Sequence, residues 1–307
     1  MSKLIRIGTR ESQLAVWQAT QVKGQLIAGG LNVELVYIKS EGDTDTKTPL
    51  YEMGVQGIFT RTLDTALLNQ HIDIAVHSMK DVPTQLPTGI IQAAVLKRGP
   101  VNDLLVFKTP LEKLYQDDYV GHIATSSIRR KAQWLHWFPA HHMHNLRGNV
   151  NTRLRKLQTE SWDAAIFAQA GLERIGLRPE HSTELSWMLP APAQGAIMVV
   201  CREDDQFVFE SCQVCNNADT ATCTKIERDF LRTLLGGCST PISALATIEN
   251  GWVSFTGNIL SLNGSEKVQT EKKVLVENAN NLGIEAAFDL LANGGRHLAD
   301  KVKHAAQ

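Results

Sequence analysis

Leu4-Ile5-Arg6-Ile7, then Thr9-Arg10-Glu11-Ser12, a helical stretch through about Ala28, Gly29-Gly30, and Val33-Glu34-Leu35-Val36-Tyr37-Ile38 form the run that decides the fold. Leu4–Ile7 reads as a strand and Thr9–Ser12 as the turn after it. Ser12 suits the N-cap of the helix, and the paired glycines stop it. Val33–Ile38 is the next strand. Strand, helix and strand in that order predict a parallel sheet, because parallel neighbours need a crossover. Ligands of such sheets bind beyond the carboxyl ends of the strands. Arg10 and Ser12 fall there and are candidate binding residues, although a solvated loop arginine is the plainer account of Arg10.

Working outward, Glu41 to Gly57 is polar, Gly-containing and without periodicity, as expected of a lid. Phe59 to Asn69 follows as a helix, with Leu63, Ala66 and Leu67 on one stripe. Ile72-Asp73-Ile74-Ala75-Val76 is a buried strand that ends in His77-Ser78-Met79-Lys80-Asp81-Val82-Pro83. It brings a cation, Lys80, and a carboxylate, Asp81, to its carboxyl end; surface pairing is the plainer account of both. Ile90–Leu96 is a further strand. Lys97 to Asn102, with Gly99 and Pro100, reads as a linker.

A second α/β unit then begins. Leu104–Phe107 and His122–Ala124 are strands. Thr125-Ser126-Ser127 opens a helix through Arg129, Arg130 and Lys131 to about Phe138. His142–Leu146 is a strand, Arg147-Gly148-Asn149 its terminal loop, and Asn151 caps a helix bearing Arg153, Arg155 and Lys156. Asp163–Ala168 is the next strand. From Tyr119 to Thr159 there is no Asp or Glu, while these arginines and lysines recur at the ends of successive strands. Helix N-termini near Ser126-Ser127 and Asn149-Asn151 add positive potential. The expected ligand is anionic, and the preference for arginine favours flat carboxylates or phosphates. The competing account is a solvated basic face.

Leu189-Pro190-Ala191-Pro192-Ala193-Gln194-Gly195 is a second crossing, followed by a strand at Ile197–Cys201. Two crossings around one α/β unit predict two lobes joined by a hinge, with a cleft between them. Asp219–Leu235 is a helix. Ala244–Ile248, Trp252–Leu260 and Val268–Val276 read as antiparallel strands with a turn at Asn263-Gly264. Helices near Leu282–Ala292 and His297–His304 close a small α+β domain. The expected division is 1–97 with 196–215, then 98–195, then 216–307.

Between the long helix and these strands lies Leu235-Gly236-Gly237-Cys238-Ser239-Thr240-Pro241-Ile242. The glycines remove bulk beside the thiol, and Pro241 forbids helical continuation. An accessible Cys238 thiolate on such a turn can hold a group covalently; a half-buried cysteine after a helix cap is the bland alternative. Cys212-Gln-Val-Cys215 has metal-ligand spacing, with Cys223 nearby, but no second tight Cys/His pair completes a site. No metal is expected.

The 307 residues suggest two or three domains, and the net charge of -1 argues against a nucleic-acid or membrane-surface binder by bulk charge. No apolar run reaches transmembrane length, and the start lacks signal-peptide features, so a cytoplasmic location is expected.

Several of these motifs match one family in order. They are Gly8-Thr9-Arg10-Glu11-Ser12-Gln13-Leu14-Ala15, Asp73 through Pro83, Thr125-Ser126-Ser127-Ile128-Arg129-Arg130, Leu146-Arg147-Gly148-Asn149-Val150-Asn151-Thr152-Arg153-Leu154, Pro192-Ala193-Gln194-Gly195-Ala196 and Gly236-Gly237-Cys238. The chain resembles porphobilinogen deaminase, also called hydroxymethylbilane synthase, over essentially its whole length. The resemblance implies an α/β fold of two periplasmic-binding-protein-like (type II) lobes with a hinge, plus the small C-terminal α+β domain. It implies a transferase of haem and tetrapyrrole biosynthesis that joins four porphobilinogens into hydroxymethylbilane with release of ammonia. It implies a dipyrromethane cofactor in thioether linkage to Cys238, and Asp81 as the catalytic carboxylate at the pyrrole nitrogens and the developing azafulvenium cation. Arg10, Ser12, Lys80, Thr125, Ser126, Ser127, Arg129, Arg130, Arg147, Gly148, Asn149, Arg153 and Gln194 are then implied to bind cofactor and growing chain, with Phe59 and Gln56 in the lid.

The chain departs from the family in having Gln56 where lysine is frequent, and in Cys212, Cys215 and Cys223. Porphobilinogen and the growing oligopyrrole are the implied partners of a monomer, with no nucleic acid and no membrane. The rival reading is a non-catalytic two-lobed binding protein for an anionic small molecule, which would not need Cys238.

Overall fold

The computed structural model describes residues 3–39, 60–234 and 240–305. The expected lid from Glu41 to Gly57, with Gln56, as well as Phe59 and the turn bearing Cys238, lie outside the described residues. The described residues 3–39, 60–99 and 195–222 form one compact unit, and 100–194 with 223–234 and 240–305 form the other.

The chain opens with β1 (Leu4–Thr9), α1 (Gln13–Ala28), β2 (Asn32–Tyr37), α2 (Arg61–Leu68), β3 (Ile74–Ser78) and β4 (Ile90–Val95). Ser12 caps α1 by accepting from the Ala15 amide at 3.4 Å, and Gly29 closes it. Between these ends Ala15, Ala19, Val22 and Leu26 recur at helical spacing and are buried, and all but Ala15 belong to the core under the sheet. β3 is buried from Ile74 to His77, as a central strand covered on both faces should be.

In the second unit the chain builds β5 (Asp103–Phe107), α3 (Leu111–Leu114), β6 (His122–Ala124), α4 (Ile128–Trp137), β7 (His142–His144), α5 (Val150–Thr159), β8 (Ala164–Ala168), α6 (Gln169–Glu173) and β9 (Ser182–Glu184). It returns to the first with β10 (Ile197–Arg202) and α7 (Gln206–Cys212), and leaves along α8 (Ala218–Thr233). The last elements are β11 (Ile242–Glu249), β12 (Trp252–Leu260), β13 (Lys267–Leu275), α9 (Leu282–Leu290) and α10 (Arg296–Ala305).

The first sheet has the order β2-β1-β3-β10-β4 and the second β7-β6-β8-β5-β9. Each is mixed rather than parallel throughout, as the opening run alone had suggested. β1 pairs parallel with β2 and β3, and β6 parallel with β7 and β8. β10 runs antiparallel to β3 and β4, and β5 antiparallel to β8 and β9. The reversed strand in each sheet is the one that follows a crossing segment. It enters without the crossover helix that parallel pairing requires.

The three-stranded sheet β11-β12-β13 is antiparallel and packs on α8, α9 and α10 through Ile226, Phe230, Phe255, Ala286 and Leu298. Its β12–β13 turn reaches α4. Gly264 has φ +74°, and a Cβ there would lie 2.5 Å from the Ala132 carbonyl oxygen and the His136 amide, so only glycine fits. The Gly264 carbonyl lies 2.8 Å from His136 Nδ1, and Gln133 Nε2 donates to Ser243 Oγ at 3.0 Å. The α+β part is thereby fastened to the second sheet's own helix.

Candidate active site

In the first unit, β1 ends at Thr9, directly before Arg10, and β3 runs into a short 3-10 turn, Met79–Asp81. That turn lifts Lys80 and Asp81, both half-buried, beyond the strand's carboxyl end. Arg10, Gln18, Thr60, His77, Ser78 and Asp81 line one small cavity there. Gln18, from the buried face of α1, donates through Nε2 to Ser78 Oγ at 2.8 Å. Ser12 is occupied as the helix cap. Burial, seconded by the positive charge of Arg10, pushes the His77 imidazole down to about 3. That ring is neutral at pH 7.

The second unit gathers its candidates at equivalent strand ends. Thr125 is buried, and its amide donates to the His144 carbonyl at 2.8 Å. Ser126 Oγ donates to the Leu146 carbonyl, tying the ends of β6 and β7 together. Ser127 caps α4 by accepting from the Arg130 amide at 3.4 Å, and Asn149 caps α5 by accepting from the Thr152 amide at 2.9 Å. Gly148 has φ +112° and offers its carbonyl to Arg153 Nε at 2.6 Å. Arg147 is buried.

Arg129 and Arg130 do not form a solvated basic face. Both are buried on Asp103, the first residue of β5. Arg129 Nη2 donates to Asp103 Oδ2 at 2.7 Å, and Arg130 donates to Oδ1 from Nε at 3.0 Å and Nη2 at 2.7 Å. Gln194 Nε2 donates to the same Oδ1 at 2.9 Å and to the Val101 carbonyl at 2.7 Å. Burial alone would raise the Asp103 carboxyl, but the two guanidiniums and these hydrogen bonds outweigh it and hold it well below the usual carboxylate range. Burial also lowers Arg129, partly offset by Asp103.

Sequence reasoning missed Asp103, Gln18 and the cavity-lining role of His77. A signal for Asp103 existed: arginines in a stretch with no acid must find their counter-ion elsewhere if they are buried. Asp103 follows directly on the crossing at Gly99-Pro100.

The remaining cysteines Cys201, Cys212, Cys215 and Cys223 are buried. Burial pushes the Cys201 and Cys215 thiols up to about 11, so these are packing groups with little thiolate character. No helix among the described residues is long and apolar enough to cross a membrane.

Two like mixed sheets with cations, caps and a carboxylate at their strand ends, followed by a small antiparallel α+β part, define the protein as a mixed α/β chain with an α+β appendage. The family model described as "Porphobilinogen deaminase, dipyromethane cofactor binding domain" matches residues 5–210, and "Porphobilinogen deaminase, C-terminal domain" matches 221–292. The chain belongs to the porphobilinogen deaminase family, a family of dipyrromethane-carrying transferases. It is 41% identical over 303 residues to the porphobilinogen deaminase of Pelobacter propionicus, covering 97% of each chain. It is 40% identical over 306 residues to that of Trichlorobacter lovleyi, covering 98% of this chain and 97% of that one. For Geobacter sulfurreducens the figures are 40% over 303 residues, 97% and 94%. Among solved structures, a nutrient-binding protein from Burkholderia cenocepacia bound to methionine aligns with a TM-score of 0.43 at 15% identity, covering 70% of this chain and 93% of that one. The family assignment supports the catalytic reading and not the non-catalytic binding protein.

Proposed function

We propose that this chain joins four porphobilinogens head to tail into hydroxymethylbilane, releasing one ammonia per addition, on a dipyrromethane held in thioether linkage by Cys238. The observation that carries the reading within the fold is Asp81, half-buried at the end of β3 and lining one cavity with Arg10. Each porphobilinogen carries an acetate and a propionate, so a growing chain accumulates negative charge. Arg10, Lys80, Arg147 and Arg153 are the cations that would meet these groups, with Ser12, Thr125, Ser126, Ser127, Gly148 and Asn149 contributing from the strand-end loops. The donor set fits such a polyacid. Arg129 keeps a buried Nε with no hydrogen-bond partner among the described residues, beside its two engaged Nη atoms. When bound, the dipyrromethane supplies a tethered pyrrole carbon as the nucleophile that each chain extension needs.

Asp81 has a separate task. Loss of ammonia leaves positive charge on the substrate pyrrole, and a fixed carboxylate there stabilises it and can move a proton at the pyrrole nitrogen. Arg130 and Gln194 act by holding Asp103 and, through it, Arg129. The covalent tether makes successive additions intramolecular. Phe59 and Gln56 belong to the proposed lid. The proposed organisation is three-part, 1–97 with 196–215, 98–195 and 216–307, in a cytoplasmic monomer with hydroxymethylbilane synthase activity.

Mass spectrometry of the intact protein and its peptides tests the tether. A dipyrromethane-sized mass on the Cys238 peptide, absent from Cys238→Ser, is the expected result; an unmodified Cys238 after incubation with porphobilinogen overturns it. Asp81→Ala should keep the fold while abolishing turnover, and wild-type-like turnover in that variant would sink the role given to Asp81.

A further inference from the structure

One neighbour of Arg10 and Asp81 has no task in the proposed reaction. His77 is the penultimate residue of β3, 6% exposed, on the wall of the same cavity. Its Nε2 is buried and has no hydrogen-bond partner among the described residues. Buried polar nitrogens are nearly always paired, so one that is not calls for a partner from outside the chain's own atoms. The ring belongs to a strand buried from Ile74 to His77, so its position is set by β3 and not by a loop.

The surroundings select that partner. Arg10 imposes a positive potential on the ring, which is a poor setting for receiving an ammonium and a good one for meeting an anion. Asp81, on the same wall, already serves the cationic part of an acidic pyrrole. A neutral imidazole can present an N–H to a carboxylate without adding a second charge beside the guanidinium.

We propose that His77 is a recognition residue, its Nε2–H donating to the same ligand carboxylate that Arg10 holds. This rests on the function proposed above and names the acidic pyrrole's side-chain carboxylate as the group recognised.

The test uses the full chain and two substitutions that separate hydrogen bonding from packing. Gln places an amide N–H near the position of Nε2, and Asn places one near Nδ1. His77→Asn should raise the porphobilinogen KM about tenfold with kcat within about twofold, the loss of one charge-assisted hydrogen bond, whereas His77→Gln should stay within about threefold of wild type in both. Equal behaviour of the two variants overturns the proposal. Should either fail to fold, nitrogen-15 NMR of histidine-labelled wild-type protein decides. The probe is a porphobilinogen analogue lacking the aminomethyl group, which has no ammonia to lose. A neutral ring protonated at Nε2, with that proton moving downfield on binding, supports the proposal; an unprotonated Nε2, or one unmoved by the probe, refutes it. Wild-type protein that makes no hydroxymethylbilane but passes the NMR test would break the proposed function and leave His77 as a carboxylate donor.

Discussion

The reversed strand of the first sheet begins with Ile197, paired with Ser78; the reversed strand of the second begins with Asp103, paired with Ala168. Strand order is the same in both sheets, so these two residues hold corresponding places. Around Ile197 the sheet stays apolar, and its polar groups Ser78, His77 and Asp81 line a cavity at the strand end. Around Asp103 the same place in the sheet becomes an ionic centre, where two arginines and Gln194 converge inside the protein. One arrangement leaves polar side chains at a cavity, and the other ties them to one another in the interior. Burial of an arginine in a binding protein therefore does not say which of the two it does; its partner does.

The sharpest way to break this comparison is to remove the anion. Asp103→Ala leaves two buried guanidiniums without their carboxylate and should destabilise the protein by about 3–5 kcal/mol. Asp81→Asn, at the end of the first sheet, should change stability by less than about 1 kcal/mol while removing activity. Denaturant midpoints of the two variants measure the contrast, and equal losses would dissolve it.

Gly264→Ala comes next. It forces a side chain into the α4 backbone at a left-handed position and should cost about 2 kcal/mol, read from the same midpoints, with substrate affinity little changed in the folded fraction.

Acidification gives the last test, read as a change in melting temperature. His77 is held down to about 3 by burial and Arg10, so the unfolded chain takes up its proton near pH 6.5 and the folded chain refuses it. Its contribution to stability is present above pH 6.5 and is lost as pH falls toward 3. His77→Phe should therefore reduce the drop in melting temperature between pH 7 and pH 4.5 by a few degrees. An unchanged drop would show that the first sheet's cavity does not carry this acid sensitivity.

Much of this was legible in the residues themselves. The β1–α1–β2 run, β3 with its terminal Lys80-Asp81, the caps Ser12 and Ser127, and the antiparallel C-terminal strands with a turn at Asn263-Gly264 all follow from local periodicity and turn chemistry. What stayed hidden depends on distant partners. The reversal of β5 and β10 is a pairing across the sheet, and no local pattern encodes direction. Short elements such as α3 and β9 carry too few residues for a period. Asp103 lies 26 and 27 positions from the arginines it holds, so a charge count over their own stretch misses it.

The position of β10 also fixes an order of assembly. It lies between β3 and β4, so the first sheet, although begun first, lacks this interior strand until residue 202 has been made. The second sheet draws only on residues 103–184 and can close earlier. During synthesis from the N-terminus, β3 and β4 must therefore wait with unpaired edges while the later-encoded sheet completes itself. A nascent chain halted before Ile197 would hold a finished second sheet and an open first one.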